Sequence, residues 1–448
     1  MRHNEDLLER LTKIAHPGSR PGLEAIGSLL ALLGNPQDRL TFVHCAGTNG
    51  KGSVMAFLEE ILIQAGYHVG RFLSPSLFCF EEMFRYDKTM IPADEASELI
   101  GVLSKACGTL SQQGKTVPTV FELECALAFL WFEKKSCDLV LLEAGMGGRD
   151  DATNIVSTTV LAVLTSISED HKAYLGDTPE KIAAVKAGII KPGIPVVLDG
   201  TTKYREQVIR AVETQCRKEG AFLRTVNPGN ISIISTAAGA QSFRYRGKGP
   251  YSIRLSGPFQ ISNAAVALEA VEALKSLGYP ISTEAVSAGL TKTVWEGRFE
   301  QISEYPAVII DGAHNPDAAA KLAEAVEEYF AGRDIYLIFG VFSDKEYDKI
   351  IKLIAPLAVR VFTVAAMDNP RALPSDKTAE AVRKVSSRVT DAGTVRHAMA
   401  MALDAACGDD VILVCGSLAF LHEVKEFFTE RENYDRSKTS PGFGRGDR

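Results

Sequence analysis

The chain has 448 residues, 46% hydrophobic and 23% charged, with a formal net charge of −7 and a pI near 5.8. This is an ordinary globular composition on a chain too long for one core, so two domains are expected, and the acidic balance argues against nucleic acid as a partner. No apolar run reaches membrane-spanning length and the charged N-terminus lacks the apolar centre of a signal peptide, so the expectation is a cytoplasmic protein without membrane contact.

In chain order, residues 5 to 34 read as helix broken near Pro17-Gly-Ser19, with Pro21-Gly-Leu-Glu-Ala25 inside it. The apolar run Leu40-Thr-Phe-Val-His-Cys45 reads as a strand and Val54 to Leu62 as a helix. Between them lies Gly47-Thr-Asn-Gly-Lys-Gly-Ser53. Glycines at a strand-to-helix turn let backbone N–H groups converge on an anion, Lys51 can neutralise phosphate oxygens, and Ser53 can offer a hydroxyl to Mg2+. The spacing is not that of the usual phosphate-loop motif, so an ordinary glycine-rich turn is the competing reading, disfavoured by the position of Lys51.

His68 to Leu73 is a short strand leading into Ser74-Pro-Ser-Leu77, a loop at the strand's carboxyl end, where open parallel sheets hold ligands. Ala93 to Gln113 and Val120 to Lys135 read as helices. Asp138 to Glu143 and Thr159 to Thr165 read as buried strands. The first ends in a carboxylate followed by Ala-Gly-Met-Gly-Gly, placed to reach a metal near the phosphate loop, against the alternative of a solvated strand end. The second is followed by Asp170-His171, for which a site role and a structural role are balanced on pattern alone. Thr178 to Ala187 is a helix on which Lys186 reads as a terminal cation facing the dipole. Residues 194 to 199 read as a strand and 203 to 219 as a helix.

Ile231 to Leu255 suggests a small antiparallel sheet, and Asn263 reads as the N-cap of a helix over 264 to 271. Thr293-Val-Trp-Glu-Gly-Arg298 marks the domain junction. Beyond it, strands at 307–311, 334–339, 359–364 and 411–415 alternate with helical segments, the spacing of a parallel sheet, with Asp311-Gly-Ala-His-Asn-Pro316 at a strand exit. The expected domains are 1–294 and 295–430, followed by a flexible tail at 431–448. The eight cysteines form no C-x-x-C pair and are read as reduced core residues.

His44 to Ser53, Leu142 to Arg149 with Asp151-Ala-Thr-Asn154, Asp170-His171, Lys186 to Pro192, Gly297-Arg298 and Asp311 to Pro316, taken in this order, resemble the folylpolyglutamate synthase and dihydrofolate synthase family of the Mur ligase superfamily. The resemblance implies an α/β chain: an N-terminal P-loop ATPase domain of Mur-ligase type with a small appended β-sheet, and a C-terminal Rossmann-like domain. It implies an ATP-dependent ligase adding L-glutamate to dihydropteroate or a reduced folate through an acyl phosphate. It also implies a monomer with small-molecule partners, using ATP and Mg2+ at one or two sites.

By resemblance, Asn49, Gly50, Lys51, Gly52, Ser53, Asn263, Arg298 and Asp311 bind ATP. Ser53, Ser74, Glu143 and His171 hold the metal, and Lys186 is the lysine the family carbamylates, which replaces the dipole reading. Lys51, Lys186, His171 and His314 form the catalytic set, while Gly22, Leu23, Glu24, Thr119, Phe121, Glu122, Asp150, Asp151 and Ala152 face the pteroyl acceptor. The chain departs from the family pattern at Ala25, Ser76, Met83, Ser166 and Glu296. Those departures leave open a ligase for another carboxylate acceptor, and a nucleotide-binding regulatory ATPase is the reading from a different class.

Overall fold

The computed structural model describes residues 2–18, 21–170, 172–366 and 369–439. The chain divides into two compact units, Met1–Trp295 and Glu296–Arg448.

The first unit is built on eight strands: β1 (Phe42–Ala46), β2 (Val69–Phe72), β3 (Phe84–Tyr86), β4 (Thr89–Met90), β5 (Leu139–Glu143), β6 (Thr159–Leu164), β7 (Pro195–Asp199) and β8 (Phe222–Val226). Their order across the sheet is β4-β3-β2-β5-β1-β6-β7-β8. From β2 to β8 all pairings are parallel, and only β3 and β4 run antiparallel at one edge. β1 and β5 are buried along their whole length, as strands covered on both faces must be.

Helices α1 (Arg2–Ile14), α2 (Glu24–Leu32), α3 (Lys51–Gln64), α4 (Ala93–Gln112), α5 (Val120–Lys135), α6 (Lys172–Leu175), α7 (Pro179–Lys186), α8 (Arg205–Glu219), α9 (Phe259–Ser276) and α10 (Thr283–Lys292) complete this unit. Alternate residues of β1 enter different cores. Val43 and Cys45 join the cluster formed with α3, α9 and α10, whereas Phe42 joins the one formed with α2, α4 and α5. The predicted small antiparallel sheet is present as β9 (Ile231–Ala237), β10 (Ala240–Tyr245) and β11 (Lys248–Ile253).

One local reading is corrected. Asn263 is no N-cap: α9 begins four residues earlier, and the Asn263 amide donates to Gln260 Oε1 at 2.8 Å inside the helix. Pro258 and the buried pair Gln260 and Ile261 extend the helix past the signal that a polar Asn gives.

The second unit holds β12 (Glu300–Glu304), β13 (Ala307–Ile310), β14 (Ile335–Phe339), β15 (Arg360–Val364), β16 (Val389–Gly393) and β17 (Val411–Cys415). The order is β12-β13-β17-β14-β15-β16, parallel except for β12. α11 (Pro316–Tyr329), α12 (Tyr347–Ile354), α13 (Ser375–Arg383), α14 (Val395–Ala405) and α15 (Leu421–Thr439) lie between or after the strands. The backbone of 431–439, read from composition as tail, is helical, and 440–448 lie outside the described residues. All eight cysteines are free thiols. No helix among the described residues is long and apolar enough to cross a membrane.

Candidate active site

The parallel strands of the first unit deliver their carboxyl ends to one edge. Register sets Cys45 beside Glu143 and Ala46 beside Leu164, so the loops after β1, β5 and β6 leave the sheet together. The loop after β1 is pressed against the exit of β6: a Cβ on Gly47 would lie 1.9 Å from Thr165 Oγ1, so only glycine fits there. Thr48 and Asn49 donate their N–H groups to the Ser166 carbonyl at 2.8 and 3.2 Å, and Thr48 Oγ1 donates to Ser168 O at 3.1 Å. Gly50, at φ +87°, caps α3 without any side-chain cap bond and abuts Asn263 Oδ1. With Thr48 and Asn49 held by Ser166, the turn presents the first N–H groups and the positive end of α3.

Two ammonium groups meet on this loop. Lys51 Nζ donates to Gly47 O at 3.1 Å and Thr48 O at 3.3 Å, and Lys186 Nζ donates to the same Gly47 O at 2.8 Å. Lys186 is buried, and its pKa falls to about 7, first by desolvation and then by the charge of Lys51, with Asp170 and Asp151 opposing. Glu143 faces Lys51, with Oε1 3.6 Å from Nζ. Glu143 Oε2 accepts the Ser74 N–H at 3.3 Å, which joins the loop after β2 to the same corner. The Lys51 ammonium at the positive end of α3 favours an anion here.

The oxygens of Ser53, Ser74 and Glu143 are the donor type a Mg2+ ion would need, and one carboxylate with substrate phosphates is its usual protein share. Among the described residues no group of three His, Cys, Asp or Glu side chains forms a closed metal cage. His171 lies outside the described residues.

The segments assigned to the acceptor are brought together. Gly22 N–H donates to Asp150 O at 3.3 Å, and Ile26 N–H to Glu122 Oε1 at 3.2 Å. Leu23 and Glu24 open α2, with Glu24 exposed. Phe121 packs on the glycine loop after β5, where a Cβ on Gly145 would lie 2.6 Å from its Cζ. Two assigned carboxylates are occupied internally. Glu122 Oε2 accepts the Thr119 N–H and hydroxyl, both at 2.8 Å, in a capping box. Asp151 accepts Met146 N–H at 2.8 Å, Thr153 N–H at 3.0 Å and the Thr153 hydroxyl at 2.5 Å. Thr153 Oγ1 in turn lies 2.9 Å from His44 Nε2, tying the loop to β1. Ala152 is buried beside it.

In the second unit, Asp311 leaves β13 with Oδ2 accepting Phe299 N–H and Oδ1 accepting Ala313 N–H, both at 2.8 Å. Burial raises its pKa against the opposing charge of Arg298. Gly312 packs closely under two side chains: a Cβ there would lie 2.1 Å from Leu418 Cδ2 and 2.2 Å from Arg298 Nη1. His314 Nδ1–H donates to Gly312 O at 2.8 Å, just before Asn315 caps α11.

Residues 45–271 match the Mur ligase middle domain and residues 297–418 the Mur ligase glutamate ligase domain. The dihydrofolate synthase/folylpolyglutamate synthase of Bacillus subtilis is 36% identical over 419 residues, 91% of this chain and 95% of that protein. This chain belongs to the dihydrofolate synthase/folylpolyglutamate synthase family of Mur ligases. The ligase is similar in structure to Mycobacterium tuberculosis folylpolyglutamate synthase complexed with ADP and AMPPCP, at TM-score 0.85 and 29% identity over 95% of this chain and 98% of that one. Escherichia coli FolC in complex with DHPP and ADP matches at TM-score 0.83 and 28% identity, over 95% and 98%.

Residues that sequence reasoning passed over in this ligase are partners of the loop rather than members of it. Thr165 closes on Gly47 and Trp295 on Gly52. Neither carries a local signal, because each acts through a contact distant in sequence.

Proposed function

We propose that the ligase joins L-glutamate to the carboxylate of dihydropteroate or a reduced folate at the expense of ATP. The convergence of Lys51 and Lys186 on one carbonyl beside Glu143, at the open N-terminus of α3, carries this reading. A carboxylate is a poor electrophile at neutral pH, so its oxygen first takes the γ-phosphoryl group of ATP, releasing ADP. The glutamate amine then adds to the acyl carbon, loses its proton, and phosphate departs with the C–O bond.

Catalysis of such a transfer is positioning and charge neutralisation. Gly50 to Ser53 would cradle the phosphates through the backbone N–H groups at the start of α3, Asn49 would line the same turn with its own N–H held by Ser166, and Lys51 would neutralise the phosphates. Ser53, Ser74, Glu143 and His171 would hold Mg2+, which supplies charge compensation for the phosphate oxygens. Asn263, Arg298, Asp311 and His314 would contact the nucleotide, and Gly22 to Glu24, Thr119, Phe121, Glu122 and Asp150 to Ala152 would shape the acceptor pocket. The internal bonding of Glu122 and Asp151 supports a pocket-shaping part for those two.

Lys186 would act as its carbamate. Its lowered pKa supports this, because the neutral amine attacks CO2 and loses a proton to give an N-carboxylate. The product is an anion beside Lys51 in place of a second, repelled cation.

The test is ADP release with ATP, Mg2+, glutamate and each acceptor supplied or withheld. Release that needs both glutamate and a pteroyl compound is expected; release indifferent to both would mean a regulatory ATPase.

A further inference from the structure

We propose that Trp295 is a positioning residue for ATP binding, acting through Gly52, and that its indole emission reports the nucleotide. This rests on the ATP reading above. The indole occupies the place where a side chain on Gly52 would project: a Cβ there would lie 2.7 Å from Trp295 Cζ2 and 3.1 Å from its Nε1. Gly52 sits between Lys51 and Ser53, so its backbone direction decides whether three consecutive N–H groups converge on one phosphate. Glycine alone leaves that direction loose. The indole plate removes the freedom.

What holds the plate comes from the same helix. The Arg71 guanidinium carbon stands 5.0 Å from the ring centroid of Trp295. Arg71 is 2% exposed, and its Nη1 donates to Glu59 Oε2 at 2.6 Å. Glu59 lies on α3 two turns beyond Gly52. A closed circuit results: α3 holds Arg71 through Glu59, Arg71 holds Trp295, and Trp295 presses on the first turn of α3. Trp295 Nε1 is buried with no hydrogen-bond partner among the described residues, so stacking and packing fix the ring, and its emission responds to charge arriving at the loop. Arg71 also lies on β2, three residues before Ser74, which places the circuit beneath two loops of the site.

The chain has two tryptophans, and Trp131 is buried in the cluster formed with α2, α4 and α5, its Nε1 donating to Glu95. A Trp131→Phe variant therefore leaves Trp295 as the sole reporter. Titrating it with Mg2+ and ATP should change its emission in step with the binding isotherm from calorimetry. Trp295→Ala should weaken ATP about tenfold, the size of a desolvated aromatic–cation contact, while Trp295→Phe stays within about threefold of wild type. The KM values for glutamate and the pteroyl acceptor should not follow. Unchanged emission while calorimetry registers ATP, or unaltered ATP affinity in Trp295→Ala, overturns the inference. Absence of ATP heat in the wild type overturns the ligase reading and this inference with it.

Discussion

Lys51 and Lys186 share the Gly47 carbonyl, but Lys186 alone is fully buried, and that difference separates their proposed roles. In the proposed mechanism Lys51 is the cation for the phosphates, with Glu143 its counter-charge at 3.6 Å. Lys51→Ala and Glu143→Ala should each lower kcat by at least about 10²-fold, as loss of a group placed where charge develops does, with the thermal midpoint nearly kept. Near-normal turnover in either variant would remove that residue from the mechanism. Lys186 is different because burial brings its pKa to about 7. Below that value the amine is protonated and cannot attack CO2; above it the amine is neutral and can. Carbamate measured by carbon NMR with labelled CO2 should therefore rise from about pH 6 to about pH 8, opposite to the behaviour of a lysine kept charged by a carboxylate partner. Lys186→Ala should be inactive and partly restored by short carboxylic acids. A carbamate signal absent across that range would restore the simple cation reading.

At the scale of elements, α5 shows how a residue with a functional signature also holds the fold. Glu122 closes the capping box of α5 and accepts the Ile26 N–H of α2, so one carboxylate joins two helices. Glu122→Ala should cost about 2 kcal/mol, a lost cap plus a buried donor left unpaired, and Glu122→Gln clearly less, read from urea midpoints at constant slope. Equal midpoints for wild type and Glu122→Ala would leave Glu122 with the acceptor alone. Elements that bury both faces were legible in the sequence: β17 is an unbroken apolar run, β6 is one after Thr159, β5 is one up to Glu143, and β1 is interrupted only by His44. β4, β8, β12 and β16 were not. They are edge strands with mostly exposed or half-buried residues, so no alternation survives in their sequences, and β3, beside β4, is only three residues long. The site followed the same division. Contiguous motifs around Lys51, Glu143 and Asp311 could be read directly. The contacts of Thr165 with Gly47 and Trp295 with Gly52 could not, since they exist only once distant segments pack.

For the whole molecule, the question is which acceptor a chain with five departures from the family pattern still takes. Its net charge of −7 repels anionic substrates at long range, so recognition depends on local groups. Four departures have another place in the structure. Met83 is buried in the cluster that also holds Phe80 and Phe84, and Ala25 is buried at the start of α2. A cation at either position would need a buried partner. Ser166 supports the phosphate loop through its carbonyl, which any residue supplies, and Glu296 pairs with Lys425 at 3.1 Å. Ser76 remains: it lies half-buried in the loop after β2, next to the segment that carries Ser74. The loss is then one polar ring contact, worth about 1 kcal/mol, too little to exclude a pteroyl acceptor. Both dihydropteroate and tetrahydrofolate should accept glutamate when offered separately with ATP and Mg2+, read as a mass increase of one glutamyl unit. Ser76→His should lower the KM for the acceptor severalfold and leave the KM for ATP unchanged. Turnover with a different carboxylate, and none with either pteroyl compound, would move the ligase to another acceptor class.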